Sequence, residues 1–307
     1  MARLHPEISH ILATSRPAFL LLPLSCLLLP LAYAISQDIS INWLHVLLIV
    51  TGALAAHISV NMLNEYEDFE SGLDFHTQRT PFSGGSGILP AFPELAESVR
   101  ISAMACLLIT VLIGFYFLRV SGWGLFPLGF SGILLIYFYT RKITHWPLLC
   151  LIAPGLAFGP LMMCGAYAIL SGHFSVAITM ASFIVFFLVN NLLLLNQFPD
   201  LKADRNAGRC HFPIVMGRKK SAWIYTGFLI AVYTQLLICV YLAFLPVYSL
   251  LGLVSLALAI PAARLSLQYA DDMDRLKPAL ALNVAVTLST PVLIAAGIIW
   301  QYIPVLN

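Results

Sequence analysis

Nine stretches of this chain are each apolar over about the twenty residues that a bilayer-spanning helix needs. They run over 17–36, 43–63, 98–118, 122–140, 146–171, 175–197, 221–245, 247–268 and 284–304. In hydrocarbon, backbone N–H and C=O groups must be satisfied within the protein, which makes each such run a helix. The chain is 60% hydrophobic and only 10% charged, against about 25% charged in a soluble domain. The expected class is therefore an all-α integral membrane bundle of nine transmembrane helices. Pro23, Pro30, Pro154, Pro160 and Pro291 fall inside these runs, so several helices are expected to kink.

The basic residues orient the bundle. With a cytoplasmic N-terminus, the inside segments carry Arg3, Arg16, Arg79, Arg100, Arg141, Lys142, Lys202, Arg205, Arg209, Arg218, Lys219, Lys220, Arg264, Arg275 and Lys277. That is fifteen of the sixteen, with Arg119 alone outside, the bias expected of inward-facing segments. The expected setting is the bacterial cytoplasmic (inner) membrane. Arg16 and Pro17 open a full-length first run, so the N-terminus reads as a span and not a cleavable signal. The six cysteines lack CxxC spacing and five lie in apolar runs, which argues against a disulfide framework or zinc site. No nucleic-acid partner is expected.

Two inside segments, 64–97 and 198–220, are long, and both follow an apolar helix. Five of the eleven residues of NEYEDFESGLD (64–74) are acids, in a chain with fourteen. Acids at a membrane rim are costly and are read as functional. The second segment begins NQFPDLKADRNAGR (196–209). Asn196, Asp200 and Asp204 stand at i, i+4 and i+8. Asn64 and Asp68 share the i, i+4 spacing, with Asp74 beyond, and on a helix this spacing forms one face. The two units lie 132 residues and four spans apart. This suggests a duplicated four-helix half, 17–140 and 146–268, with a ninth helix 284–304, in one domain over 1–307.

Opposed hard oxygen ligands suit Mg²⁺, which binds through one or two carboxylates, substrate phosphates and water. Asp68, Asp74, Asp200, Asp204 and Asn64 are the expected metal ligands. Asn196, Arg79, Arg141, Lys142, Lys202 and Arg209 complete the shell for a diphosphate. Glu67, Glu70, Glu94, Glu97 and the Asp271-Asp272-Met273-Asp274 run read as solvated. Pro199 suits the first turn of a new helix. His45 and His57 read as hydrogen-bonded packing, His211 as a loop residue more than a substrate contact, and Asn190 and Asn191 as polar glue between helices. The Gly84-Gly85-Ser86-Gly87 run either wraps a phosphate or lets the loop turn.

These motifs resemble the UbiA-type intramembrane prenyltransferases, a superfamily with nine helices around a central cavity and Asp-rich motifs after the second and sixth. Asn64, Asp68, Gly72 and Asp74, then Asp200, Asp204, Gly208 and Arg209, resemble the 1,4-dihydroxy-2-naphthoate polyprenyltransferase branch of menaquinone synthesis. So do QRTPFSGGSG (78–87), YTRKITHWP (139–147) and FGPLMMCGAY (158–167). Glu65 departs from the usual Asp or Thr, Gln197 from the second Asn of a pair, and Pro199 from the usual Arg. The resemblance implies Mg²⁺-dependent transfer of a prenyl group from an isoprenoid diphosphate to a small aromatic acceptor, in contact with membrane lipid. Asp68, Asp74, Asp200 and Asp204 would be catalytic, with the site open to the cytoplasm. The alternatives are a different acceptor, an Asp-lined transporter or channel, or a binding or regulatory member. A permeation path needs polar groups through the whole bilayer, and the last three spans carry no acids.

Overall fold

The structure is a computed structural model that describes residues 6–77, 79–80 and 83–302. All of its described secondary structure is helical. The apolar helices are α1 (Pro17–Ser36), α2 (Trp43–Glu70), α3 (Pro93–Ser121), α4 (Trp123–Phe138), α5 (Pro147–Ser171), α6 (Val176–Asn206), α7 (Arg218–Tyr241), α8 (Val247–Gln268) and α9 (Met273–Tyr302). Eight are long and apolar enough to cross a membrane, and α4 is shorter. At 1.5 Å per residue α4 rises about 24 Å, less than the hydrocarbon thickness of about 30 Å. Gly122, at φ 99°, starts it, and a turn ends it where the Thr144 N–H donates to Tyr139 O. The expectation of nine full spans thus becomes eight and a shorter ninth. A short helix, Pro6–Thr14, precedes α1.

The two acid stretches do not lie in loops. α2 continues to Glu70 and α6 to Asn206, so the i, i+4 spacing is helical in both. Asn42 caps the start of α2, accepting from the Leu44 and His45 N–H groups at 3.0 and 3.4 Å. Ser71 and Gly72, the latter at φ 76°, end it. Pro199 does not begin a new helix. It lies inside α6, whose neighbours hold it there. The Arg218 guanidinium donates twice to Phe198 O, at 2.9 and 2.6 Å, and so braces the turn in which proline supplies no N–H.

The centre of the bundle is α6, the most buried of the spans. Its packing against α5 depends on two glycines. A Cβ on Gly155 would lie 2.3 Å from Phe186 O, and one on Gly159 would lie 2.6 Å from Ser182 O. Asn190 Oδ1 crosses the same seam to accept from the Gly155 N–H at 2.6 Å. A π turn over Ala157–Leu161 contains Pro160, a bulge of the kind that relieves a lost helical donor. Asn191 donates to Tyr225 O on α7 at 2.9 Å, and Asn283 of α9 donates to Asn191 O at 3.2 Å. Asn190 and Asn191 are thus interhelical glue, as expected. All six cysteines are free. The Asp271–Asp274 run is exposed, with Asp271, Asp272 and Asp274 paired to surface bases.

The glycine seam gives a direct prediction. Gly155→Val forces α5 and α6 apart, and overpacking of this kind costs about 1–3 kcal/mol. The substitution is expected to lower the thermal midpoint of the detergent-solubilised protein, read by fluorescence-detected size exclusion. Gly227→Val on α7, where a Cβ meets nothing within 4 Å, is expected to be nearly neutral.

Candidate active site

The ends of α2 and α6 are tied together by one guanidinium. Gly208, at φ 78°, turns the chain back after α6, and the Arg209 N–H donates to Asp204 O at 2.9 Å. Arg209 NH1 then donates to Asp204 Oδ1 at 2.8 Å, and NH2 pairs with Asp68 Oδ1. Burial works against the charge on Arg209, but Asp68 and Asp204 outweigh it and hold its pKa above the usual value. The other oxygen of Asp204 meets His211 Nε2 at 2.9 Å. His211 stands in the connection after α6, as expected, and is buried against this carboxylate.

Asp74 and Asp200 are different. Gly72 turns the chain into a short 3₁₀ segment, Leu73–Phe75, that buries Asp74 to 3% exposure. Among the described residues neither Asp74 oxygen has a hydrogen-bond partner, and neither does Asp200 Oδ1 nor Asn196 Oδ1. Ser83 and the Gly84 backbone lie beside Asp200. Buried acceptors without partners cost free energy. For Asp74 the result is a pKa pushed up to about 7, by burial first and then by the carboxylates of Asp68 and Glu65.

Glu65 holds the remaining wall. It is fully buried and accepts from Arg16 Nε at 2.7 Å, from the Ser86 N–H at 2.8 Å and from Ser86 Oγ at 2.6 Å. It thereby joins the start of α1, the end of α2 and the glycine run. Gly85, at φ 70°, could carry a Cβ only 3.2 Å from both Asp74 Oδ1 and Glu65 Oε1, so the run is there to let the backbone approach the carboxylates. Gln78, Pro81 and Phe82 of the same loop lie outside the described residues.

Other expected residues stand further from the carboxylates. Asn64 Oδ1 accepts from Arg16 NH2 at 3.0 Å, and its Nδ2 donates to Thr140 Oγ1 at 3.4 Å. Arg141 is exposed and pairs with Glu67 at 2.5 Å and with the Tyr137 hydroxyl. Lys142, Lys202 and Arg79 are exposed, and the Arg79 guanidinium lies against Gly87. Arg16, Glu65 and His211 are the residues that sequence reasoning missed. Their partners are distant in sequence or, for His211, across a turn, and no spacing rule reaches them.

Beside this cluster a cavity of about 510 Å³ opens between α2, α3, α4 and α5. Its walls are mainly Leu, Ile, Phe, Ala and Gly; among the described residues its polar positions are Arg16, His57, Asn61, Asn64, Thr110 and Tyr139, and Arg16 is the charged one. Both His57 ring nitrogens are buried without a partner, and the ring packs edge-on to Phe158 at 5.2 Å. His57 is thus not the hydrogen-bonded packing residue expected. His45 does have a polar neighbour, the Tyr116 hydroxyl at 3.5 Å.

Residues 22–289 match the UbiA prenyltransferase family, a range that includes both acid motifs. The chain belongs to that family. The family is one named for prenyl transfer, and the eight helices long and apolar enough to cross a membrane accord with an integral membrane protein. It is 27% identical over 184 residues to the 1,4-dihydroxy-2-naphthoate octaprenyltransferase of Bacillus subtilis, covering 59% of this chain and 58% of that enzyme. The match therefore spans less than two thirds of that relative. A UbiA homologue of Aeropyrum pernix K1 superposes with a TM-score of 0.68 at 16% identity, over 91% of this chain and 98% of its own. A homologue from Archaeoglobus fulgidus, solved with DMAPP and Mg²⁺, gives 0.54 at 16% identity over 93% and 99%. At that identity the two structures speak for the fold.

The Asp74 pKa carries a stability prediction. A carboxyl raised from 3.8 to about 7 binds its proton more tightly folded than unfolded, so its cost grows as pH rises through that window and is absent below it. In metal-free buffer, Asp74→Asn is expected to raise the thermal midpoint at pH 8. The gain should shrink between pH 7 and 4. Scanning fluorimetry across that range checks it; an equal gain at pH 4 contradicts it.

Proposed function

We propose that this protein transfers a prenyl group from an isoprenoid diphosphate to an aromatic quinone precursor, in a site opening to the cytoplasmic side of a bacterial inner membrane. The observation that carries the reading is the pairing of two things. Unpartnered carboxyl oxygens of Asp74 and Asp200 lie at one end, and a long apolar cavity adjoins them through Asn64 and Arg16. A prenyl diphosphate has the same two-part character. The name of the Bacillus relative favours a naphthoate as acceptor.

Mg²⁺ fits the residues present. Among the described residues no three His, Cys, Asp or Glu side chains form a ready cage. Mg²⁺ does not require one, since it is held by one or two carboxylates together with substrate phosphates and water. Asp74 and Asp200 offer free oxygens, Asn196 Oδ1 is free beside them, and Asp68 and Asp204 are available if Arg209 turns from them. Bound there, Mg²⁺ would supply charge neutralisation for the leaving diphosphate.

The chain's own groups do the rest. Arg209, and Arg79 from the loop, offer guanidinium donors to diphosphate oxygens. The Gly84–Gly87 backbone, held by Glu65, walls the head group. Cleavage of the allylic C–O bond sends its electron pair to the diphosphate and leaves a cation on the prenyl carbon. The apolar cavity keeps water from that carbon, and an electron-rich ring carbon attacks it, then gives up its proton. Asp74 and Asp68 are the carboxylates on hand to take that proton.

Asp200→Asn is expected to lower prenyl transfer by on the order of 100-fold or more, measured with radiolabelled geranylgeranyl diphosphate and 1,4-dihydroxy-2-naphthoate in membranes. Lys202→Ala, at an exposed position, should stay within a few-fold. Removal of divalent cations with EDTA should abolish turnover and Mg²⁺ restore it; turnover that survives EDTA rejects the reading.

Cavity glycines give a second test. Gly114, Gly129 and Gly132 line the cavity, and a Cβ on each meets nothing within 4 Å. Glycine inside a helix costs roughly 0.5–1 kcal/mol relative to alanine, so these positions keep space at some expense to helix stability. Gly132→Leu is expected to reduce turnover of long prenyl diphosphates more than of dimethylallyl diphosphate. An equal loss on both contradicts the assignment of the cavity to the tail.

A further inference from the structure

The start of α1 carries an unusual residue. Arg16 has a left-handed backbone, φ 53° and ψ 66°, immediately before Pro17. A non-glycine residue there is strained, and persists only where its surroundings over-determine it. The surroundings here are Glu65, with no exposure at all, which takes Nε and NH2, and Asn64, which also accepts from NH2. The Asn61 amide donates to Ser15 O at 2.9 Å and fixes the preceding residue. The clamp uses one edge of the guanidinium. NH1 keeps both its N–H groups without a partner among the described residues, and the side chain remains 24% exposed where it lines the 510 Å³ cavity.

We propose that Arg16 is the specificity-determining residue for the acceptor, that its NH1 edge receives the carboxylate of an aromatic acid, and that Glu65 is its positioning residue. This rests on the prenyl-transfer reading and names the group by which the acceptor is chosen. A carboxylate enters an apolar cavity only against a paired donor, and Arg16 is the charged residue among the described lining residues. Glu65 and Asn64 hold one edge of the guanidinium, so the NH1 edge is a fixed, directional donor of a size for a single carboxylate on an apolar ring. It suits a multiply charged diphosphate poorly, and that head group has Arg209 and the free carboxyl oxygens of Asp74 and Asp200 elsewhere in the cluster. His57, buried and unpartnered on the same face of α2, lies along the cavity wall where a ring hydroxyl could use it.

The test is binding, which needs no turnover. Full-length protein in detergent is titrated calorimetrically with 1-hydroxy-2-naphthoate and with its neutral carboxamide. The acid is expected to bind at least about 10-fold more tightly than the amide, the value of one charge-assisted contact. Arg16→Gln should erase that preference while leaving amide affinity within about twofold, and Arg16→Lys, which keeps the charge but loses the fork, should keep part of it. A non-hydrolysable geranylgeranyl diphosphate analogue with Mg²⁺ should bind wild type and Arg16→Gln alike. If Arg16→Gln does not fold, judged by size exclusion, the Arg16→Lys preference decides: undiminished, it overturns the proposal. So does a wild type that ignores the carboxylate, or an Arg16→Gln loss that falls on the diphosphate analogue. Failure of prenyl transfer with every aromatic acceptor would reject the proposed function and leave the acid-to-amide ratio readable.

Discussion

A charge deficit at the ends of α2 and α6 governs this structure. Glu65, Asp68, Asp74, Asp200 and Asp204 converge there, and among the described residues two guanidiniums, Arg16 and Arg209, pair with carboxylates of the cluster. Five carboxyls against two guanidiniums leave the cluster short of positive charge, and protons take up part of the deficit, as the pKa of Asp74, pushed up to about 7, shows. At low effective dielectric such repulsion is expensive. The protein distributes it unevenly: Glu65, Asp68 and Asp204 are paired, while Asp74 and one oxygen of Asp200 have nothing. The unpaired groups are the ones a cation would find first.

The rest of the fold keeps that imbalance in place. α6 is held at the bundle centre by the glycine seam with α5 and by Asn190, Asn191 and Asn283. α2 is capped at its far end by Asn42 and tied at its near end, through Glu65, to Arg16 and Ser86. A carboxylate cluster on loops could relax by moving apart. Here Asp68, Asp200 and Asp204 ride on helices whose positions are set by packing, so relaxation is blocked. Arg209 then acts as an internal counter-ion bridging two helices that lie three spans, α3, α4 and α5, apart in the chain.

Periodicity and hydropathy made the helices legible, because both are local. The spacing of Asn64 with Asp68, and of Asn196, Asp200 and Asp204, was readable for the same reason. Helix ends were less so: an apolar run stops where charges begin, but α2 and α6 continue through their charged last turns. α4 reads as a span by composition and is short because Gly122 and the Tyr139–Thr144 turn delimit it. The roles of Arg16, Glu65 and His211 were illegible for a tertiary reason. Arg16 meets Glu65 across 49 residues. The Arg16 contact of Asn64 was hidden likewise, since its spacing with Asp68 says nothing of an arginine that donates to its oxygen.

The same geometry weighs the transport alternative. A pathway for ions must offer polar groups along its whole length. Among the described residues the cavity beside the acids has them at Arg16, His57, Asn61, Asn64, Tyr139 and Thr110, whose hydroxyl is taken up by the Gly52 and Cys106 carbonyls, and is otherwise walled by apolar side chains and open glycines. An ion entering from the carboxylates would meet desolvation without replacement ligands. A molecule with an anionic head and a hydrocarbon tail meets no such barrier, because each part lies against matching surface. The one-sided placement of charge, costly in a channel, is what ionisation of an allylic diphosphate requires: neutralised head, dry carbon, and an acceptor held within reach of both.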